Sequence, residues 1–203
     1  MTFAGRLISF FSAFILSLAL ATILWFGAHP TLWQPLILLF ILYLLPPLAF
    51  RLHHLICPIK KSLSNLSDLR YSPWWGAHQI QLLYFAVPQL EALLRITPGA
   101  YSAWLRLWGS RIGKQVYWTP NLEITDRHLL DLGDRVLLGH RCKLLGHAIK
   151  PKGEAMMLFT RTIKIGNDVF VGAGSRIGPG AVVADGSYLP ALTDIHINQA
   201  FDS

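Results

Sequence analysis

His147 is followed by AIKPKGEAMMLFTRT, a stretch with two lysines, Lys150 and Lys152, one acid, Glu154, and turn-forming Pro151 and Gly153. His140 and His128 precede it, and Asp126 stands in the run ITDRH. An imidazole, with an unperturbed pKa of about 6.5, takes a proton near neutral pH and can return it. A carboxylate orients such a ring by accepting a hydrogen bond from its other nitrogen, and Asp126 and Glu154 are the candidates. Each acid has a plainer reading too: a turn cap for Asp126, a solvated loop charge for Glu154. Lys150, Lys152, Arg161 and Lys164 form a rim that favours an anion, although each taken alone is an ordinary surface charge.

What must hold these residues is a repeat. The stretch IGNDVF VGAGSR IGPGAV VADGSY LP divides into sixes, each opening with an aliphatic residue that is usually followed by a small one. The aliphatic positions run Ile112, Ile124; Leu132, Leu138, Leu144; Ile165, Val171, Ile177, Val183, Leu189, with weaker copies after Ile112. A period of six suits neither a helix face nor a two-faced strand. It suits a chain coiled as a triangular prism, with one six per side, the aliphatic residue on the axis, and glycine or a small residue easing the corner. The rhythm breaks between Leu144 and Ile165, whose separation of 21 is not a multiple of six. The segment from Ala148 to about Thr162 must therefore leave the prism as a projecting loop, with His147 at its root.

The runs DLGDRVLLGHRCKLLGHAI and IKIGNDVFVGAGSRIGPGAVVADGSYLP resemble the hexapeptide-repeat acyltransferases. The resemblance covers residues 112 to 191, and implies a left-handed parallel β-helix, a homotrimer, an acyl-CoA donor and a site in the cleft between prisms. It also implies a base at the histidine just ahead of the excursion, here His147, with His140 next and His128 third. The implied co-substrate is acetyl-CoA or another acyl-CoA; no separate cofactor and no metal is expected. Its phosphates would meet Lys150, Lys152, Arg161 and Lys164. Glycine-rich corners such as Gly172-Ala173-Gly174 are candidates to offer backbone N–H groups to the oxyanion, with none singled out.

The front of the chain differs sharply from the repeat. The whole is 53% hydrophobic and 14% charged, too apolar for an ordinary soluble domain. No formally charged residue lies between Arg6 and Arg51. Leu7 to Phe26 and Leu32 to Phe50 are each long enough to cross a hydrocarbon core, and Gly27-Ala28-His29-Pro30 turns between them. A signal peptide is a weaker reading, since the apolar run continues past Ala19-Leu20-Ala21. Pro35, Pro46 and Pro47 make the second run a candidate for a kink or a re-entrant path. Arg6 before the hairpin and Arg51, Lys60, Lys61 and Arg70 after it put both termini and the repeat in the cytoplasm, at a bacterial-type inner membrane. The net charge of +7 then reads as attraction to anionic headgroups, and no nucleic-acid motif is present. Cys57 and Cys142 show no disulfide or metal spacing, consistent with a reducing compartment.

Between hairpin and repeat, Pro73, Pro88 and Pro98-Gly99 cut residues 71–114 into short helices. Trp74, Trp75, Trp104 and Trp108, with Arg95, Arg106 and Arg111, suit either a lipid–water interface or packing on the soluble domain. The expected class is α+β: a transmembrane hairpin over 1–55, an amphipathic linker over 56–111 and a β-helix over 112–203. The leading function is membrane-anchored acyl transfer to a hydroxyl or amine of a membrane-associated glycan or lipid precursor. Expected partners are two further copies of the chain, membrane lipid, the acyl-CoA donor and a membrane-bound biosynthetic enzyme. A non-enzymatic trimeric scaffold is the rival. A zinc enzyme resembling β-helix carbonic anhydrases is weaker, because the separations of His128, His140 and His147 do not match its ligand pattern.

Overall fold

Aliphatic side chains six residues apart turn inward and close a three-sided column. Its first side stacks β2 (Arg111–Ile112), β5 (Leu130–Leu132), β10 (Ile163–Ile165), β13 (Val182–Val183) and β16 (Ala200–Phe201). The second stacks β3 (Tyr117–Trp118), β6 (Leu137–Leu138), β11 (Phe170–Val171) and β14 (Tyr188–Leu189). The third stacks β4 (Glu123–Ile124), β7 (Lys143–Leu144), β12 (Arg176–Ile177) and β15 (Asp194–Ile195). All pairings within these sides are parallel, as between Ile177 and Leu144 below and Ile195 above. Ile124, Leu138, Leu144, Val171, Ile177 and Leu189 are each at most 1% exposed and form the spine. Burying a side chain of this size contributes about 1.5–3 kcal/mol, so the spine is the main source of stability. The parallel three-sided coil fits the expected left-handed β-helix, and it runs past Leu189 to Ile195 and Phe201.

The corners differ from expectation in one respect. At the regular corners, left-handed backbone falls three residues after the inward residue, at Gln115, Asn121, Arg135, Arg141, Asp168, Gly174, Gly180, Gly186, Leu192 and Asn198. The glycines directly after the inward residues do something else: they let coils approach. A Cβ on Gly172 would lie 2.4 Å from the backbone of Pro190 and Ala191 one coil above.

In this computed structural model, which describes residues 2–68 and 70–202, the chain divides into two units. One comprises residues 1–59 and 69–90, the other residues 60–68 and 91–203. The second unit holds the column, the helix α7 (Ala100–Trp108) and a three-stranded antiparallel sheet. That sheet corrects the excursion: residues 147–160 are a β-hairpin, β8 (His147–Lys152) and β9 (Ala155–Thr160), and not an irregular loop. β1 (Leu63–Asn65), from the expected linker, pairs antiparallel with β9. Trp104 and Trp108 are 3% and 0% exposed inside this unit, so packing, and not a lipid interface, accounts for them.

The first unit contains α1 (Phe3–Ile8), α2 (Phe11–Ala28), α3 (Gln34–Leu39), α4 (Leu45–Ile56) and α5 (Pro73–Ala86). Phe3–Ala28 and Gln34–Ile56 are long and apolar enough to cross a membrane, with mean hydropathies of 2.4 and 2.0. The expected kink takes the form of a π turn over Phe40–Leu44. Pro46 has no N–H to give the Leu42 carbonyl, and the Tyr84 hydroxyl of α5 donates to it instead at 2.7 Å. Helix α5 packs on α2 and α4 and buries Trp74, Ala77, Ile80 and Leu83. The segment 56–111 is thus no single linker: 56–59 and 70–90, with α5, belong to the unit of the apolar helices, and 60–68 and 91–111 to the unit of the column.

Candidate active site

Two corners of the column break the six-residue rule, and they lie one above the other. From Ile124 to Leu132 the step is eight residues, and from Leu144 to Ile165 it is 21. Both irregular corners join the third side to the first, since β4 and β7 pair in register, as do β5 and β10. His147 stands three residues after Leu144, where a regular corner would place its left-handed residue, and opens the hairpin instead. Asp126 sits in the irregular corner one coil below.

The two side chains meet. The Nδ1 atom of His147 lies 2.6 Å from Oδ2 of Asp126. The Asp126 side chain is 1% exposed and that of His147 16%. Thr125 Oγ1 donates to the same carboxylate oxygen at 2.8 Å and accepts from the Gly146 N–H at 3.1 Å. Gly146 is required here, because a Cβ on it would come within 2.8 Å of the Asp126 Cβ. Burial acts to raise the Asp126 pKa. The hydrogen bond and charge of His147, then His128 and the Thr125 hydroxyl, outweigh it and hold the carboxyl below its ordinary value. An ionised carboxylate can only accept, so Nδ1 carries the hydrogen and the basic lone pair is on Nε2.

The Asp126 corner is itself anchored by a buried charge cluster. Arg127 Nε donates to Glu91 Oε1 at 2.5 Å, with side chains 2% and 6% exposed. The second Glu91 oxygen accepts from Arg95 and from the Tyr101 hydroxyl, both at 3.0 Å. Ser110 Oγ donates to the Arg127 carbonyl at 2.7 Å and accepts from the Leu130 N–H at 3.0 Å. Breaking a buried pair of this kind by removing one partner costs about 3–5 kcal/mol. The corner bearing Asp126 is therefore rigid, which keeps His147 in one orientation.

His147 lines a cavity of about 480 Å³ with Ala148, Lys150, Arg176, Asp194 and His196. Arg176 forms an ion pair with Asp194 on its wall. Of the two candidate acids, the structure brings Asp126 to His147. Glu154 is exposed in the two-residue turn between β8 and β9. His140 is exposed at a different corner, between the second and third sides, where its carbonyl accepts from Gly174 N–H at 2.8 Å. His128 lines a separate groove with Arg161 and Lys164. Lys150 reaches the His147 cavity; Lys152 is exposed at the hairpin's far end. The oxyanion expectation for Gly172 and Gly174 is corrected. Their N–H groups already donate to Leu189 and His140 carbonyls, each at 2.8 Å, as part of the coil's own ladder. Among the described residues, no group of three His, Cys, Asp or Glu side chains is placed to hold a metal ion.

Sequence reasoning passed over Thr125, the Glu91–Arg127 pair, Arg176 and His196. The eight-residue step after Ile124 marks the Asp126 corner as surely as the 21-residue step marks the hairpin. Continuing the count of six to Ile195 would have placed His196 one residue after an inward position, stacked in line with Leu145 and Gly178.

No protein-family model matches the chain. Over 86 residues it is 31% identical to the galactoside O-acetyltransferase of Escherichia coli (strain K12), covering 39% of this chain and 41% of that enzyme. The match thus spans less than half the length of that curated relative. Among solved structures, a hexapeptide-repeat acetyltransferase of Vibrio cholerae O1 biovar eltor, complexed with acetyl coenzyme A, superposes with a TM-score of 0.43 at 17% identity, over 60% of this chain and 82% of that one. A galactoside acetyltransferase in complex with coenzyme A gives 0.40 at 17% identity, over 54% and 72%.

Proposed function

We propose that the chain is an acyl-CoA-dependent acyltransferase, most simply an O-acetyltransferase using acetyl-CoA, with His147 as base and Asp126 as its orienting partner. The observation that carries this reading is the 2.6 Å contact between His147 and a buried Asp126, at the mouth of a cavity where the hairpin leaves the column. The 31% identical stretch shared with galactoside O-acetyltransferase supports it.

In the proposed reaction, Nε2 of His147 takes the proton of the acceptor hydroxyl as its oxygen attacks the thioester carbonyl. The Asp126 carboxylate stabilises the imidazolium that forms. Collapse of the tetrahedral intermediate breaks the carbon–sulfur bond, and the imidazolium returns the proton to the leaving thiolate. An ester and free CoA thiol result, and the protein is unchanged.

A membrane anchor formed by the two apolar helices, both termini in the cytoplasm, and an acceptor at the membrane surface complete the proposal. So does a homotrimer: the second side presents Tyr117, Leu137, Phe170 and Tyr188 in one outward column, with Tyr117 62% and Tyr188 60% exposed. The test is thiol release from a panel of acyl-CoAs by protein in lipid, wild type beside His147→Ala. Release by wild type that the variant lacks is expected. Equal rates across all donors would remove the assignment.

A further inference from the structure

On the first side of the column, next to the edge at which His147 stands, lies a second groove of about 840 Å³. Lys61, Arg111, Arg161 and Lys164 line it, with His128, Thr162 and one carboxylate, Asp131. Several cations on the column face a carboxylate on another coil: Arg135 with Asp168, Lys143 with Glu123, Arg176 with Asp194. Arg111 likewise pairs with Asp131. Lys164 stands in register with the same Asp131, while Lys61 and Arg161 have no carboxylate partner among the described residues. Lys61 Nζ donates to the Thr162 hydroxyl at 2.9 Å, and Arg161 Nη1 to Asn198 Oδ1 at 2.7 Å. Both partners are neutral, so the side chains are held in place while their charge stays uncompensated. Gly180 makes room for this, since a Cβ there would fall 2.4 Å from Asn198 Oδ1 and 2.8 Å from the Arg161 Cδ.

Four cations against one carboxylate on one concave surface, two of them held by neutral partners, favour a ligand with more than one negative charge. The volume lies in the range of small-molecule sites and exceeds the need of a bare ion. The groove and the His147 cavity share an edge. Pro179 and Ile197 line the cavity, and their chain neighbours Gly180 and Asn198 line the groove. Lys150 lines the His147 cavity, whereas Arg161 and Lys164, also expected to meet the donor's phosphates, line the groove. In sequence, Lys61 follows Ile56, the last residue of the second apolar helix, by only five residues.

We propose that the groove formed by Lys61, Arg111, Arg161 and Lys164 binds a phosphate ester carried by the acyl acceptor, which makes the acceptor a phosphorylated glycan or lipid headgroup and not a neutral sugar. The word acceptor rests on the acyl-transfer reading; the phosphate site does not.

The test uses the full chain in phosphatidylcholine nanodiscs, titrated with glucose 1-phosphate, glucose and CoA. A parallel set of discs is doped with phosphatidic acid. Lys61 and Lys164 are exposed, so Lys61→Gln with Lys164→Gln spares the fold. Glucose 1-phosphate should bind where glucose does not, the double variant should bind it at least about tenfold more weakly, and His147→Ala should bind it like wild type. Competition by phosphatidic acid assigns the phosphate to a lipid headgroup, and its absence to a sugar-borne ester; both support the site. Equal binding of glucose and glucose 1-phosphate, or a double variant as tight as wild type, overturns it. Loss of CoA binding in the double variant, alone or together with glucose 1-phosphate, gives the groove to the donor and overturns it as well. Intact phosphate binding without thiol release from any acyl-CoA would sink the acyl-transfer reading while the phosphate site stands.

Discussion

Replacing Asp126 by Asn is the sharpest probe of the proposed chemistry. The amide has the carboxylate's shape, so the packing under Gly146 and beside Thr125 survives, and what disappears is one negative charge. Unit charges about 4 Å apart interact by about 4 kcal/mol at the effective dielectric of about 20 that suits protein sites. The Asp126–His147 contact of 2.6 Å between Oδ2 and Nδ1 places the charge centres near that separation. The interaction is strongest when His147 is an imidazolium, the form it takes as it accepts the acceptor's proton. Losing about 4 kcal/mol at that point slows the reaction roughly 10³-fold. If Asn presents its NH₂ to Nδ1, the ring must take the wrong tautomer, and the loss grows. The assay is steady-state thiol release at saturating acyl-CoA, with thermal unfolding run beside it to show that the variant is folded. The effect should fall on kcat with KM for the donor nearly unchanged. A folded Asp126→Asn protein within threefold of the wild-type kcat would refute the reasoning.

Three further outcomes follow from the geometry. Glu91→Gln removes the charge facing buried Arg127 and Arg95 and should cost about 3–5 kcal/mol. At about 2–4 °C per kcal/mol for a unit this size, a calorimetric shift of under 2 °C would show that the cluster is not held as described. Leu192 adopts φ +63° with its side chain 78% exposed, so Leu192→Asn should stabilise the column by about 1 kcal/mol; a lower denaturation midpoint would contradict the corner rule. The Asp126 carboxyl is held below its ordinary value when folded. Its contribution to stability is therefore complete above the unfolded value near 3.9 and is lost as pH falls through the folded value. Acid titrations of unfolding free energy should be shallower for Asp126→Asn than for wild type below that pH, and identical slopes would remove Asp126 from the linkage.

The sequence by itself determined the column, because one inward aliphatic residue per side must recur every sixth position, and any insertion shows as a break in the count. That count placed the excursion and put His147 at its root. Local composition likewise determined two apolar helices, but their connection runs over 29–33, and Gly27 and Ala28 of the expected turn stay helical. Tertiary structure alone chose Asp126 over Glu154, which is nearer His147 in sequence. Stacking brings residues one coil apart, here 21 positions, into hydrogen-bond range, while the hairpin carries Glu154 to its far tip. The fate of the tryptophans was also a tertiary matter. An aromatic beside arginines reads the same at a lipid surface as in a core, and only packing against the first coil decided that Trp104 and Trp108 are inside. The division of residues 56–111 between two units was hidden for the same reason: helical periodicity marks a buried face, not the surface that covers it.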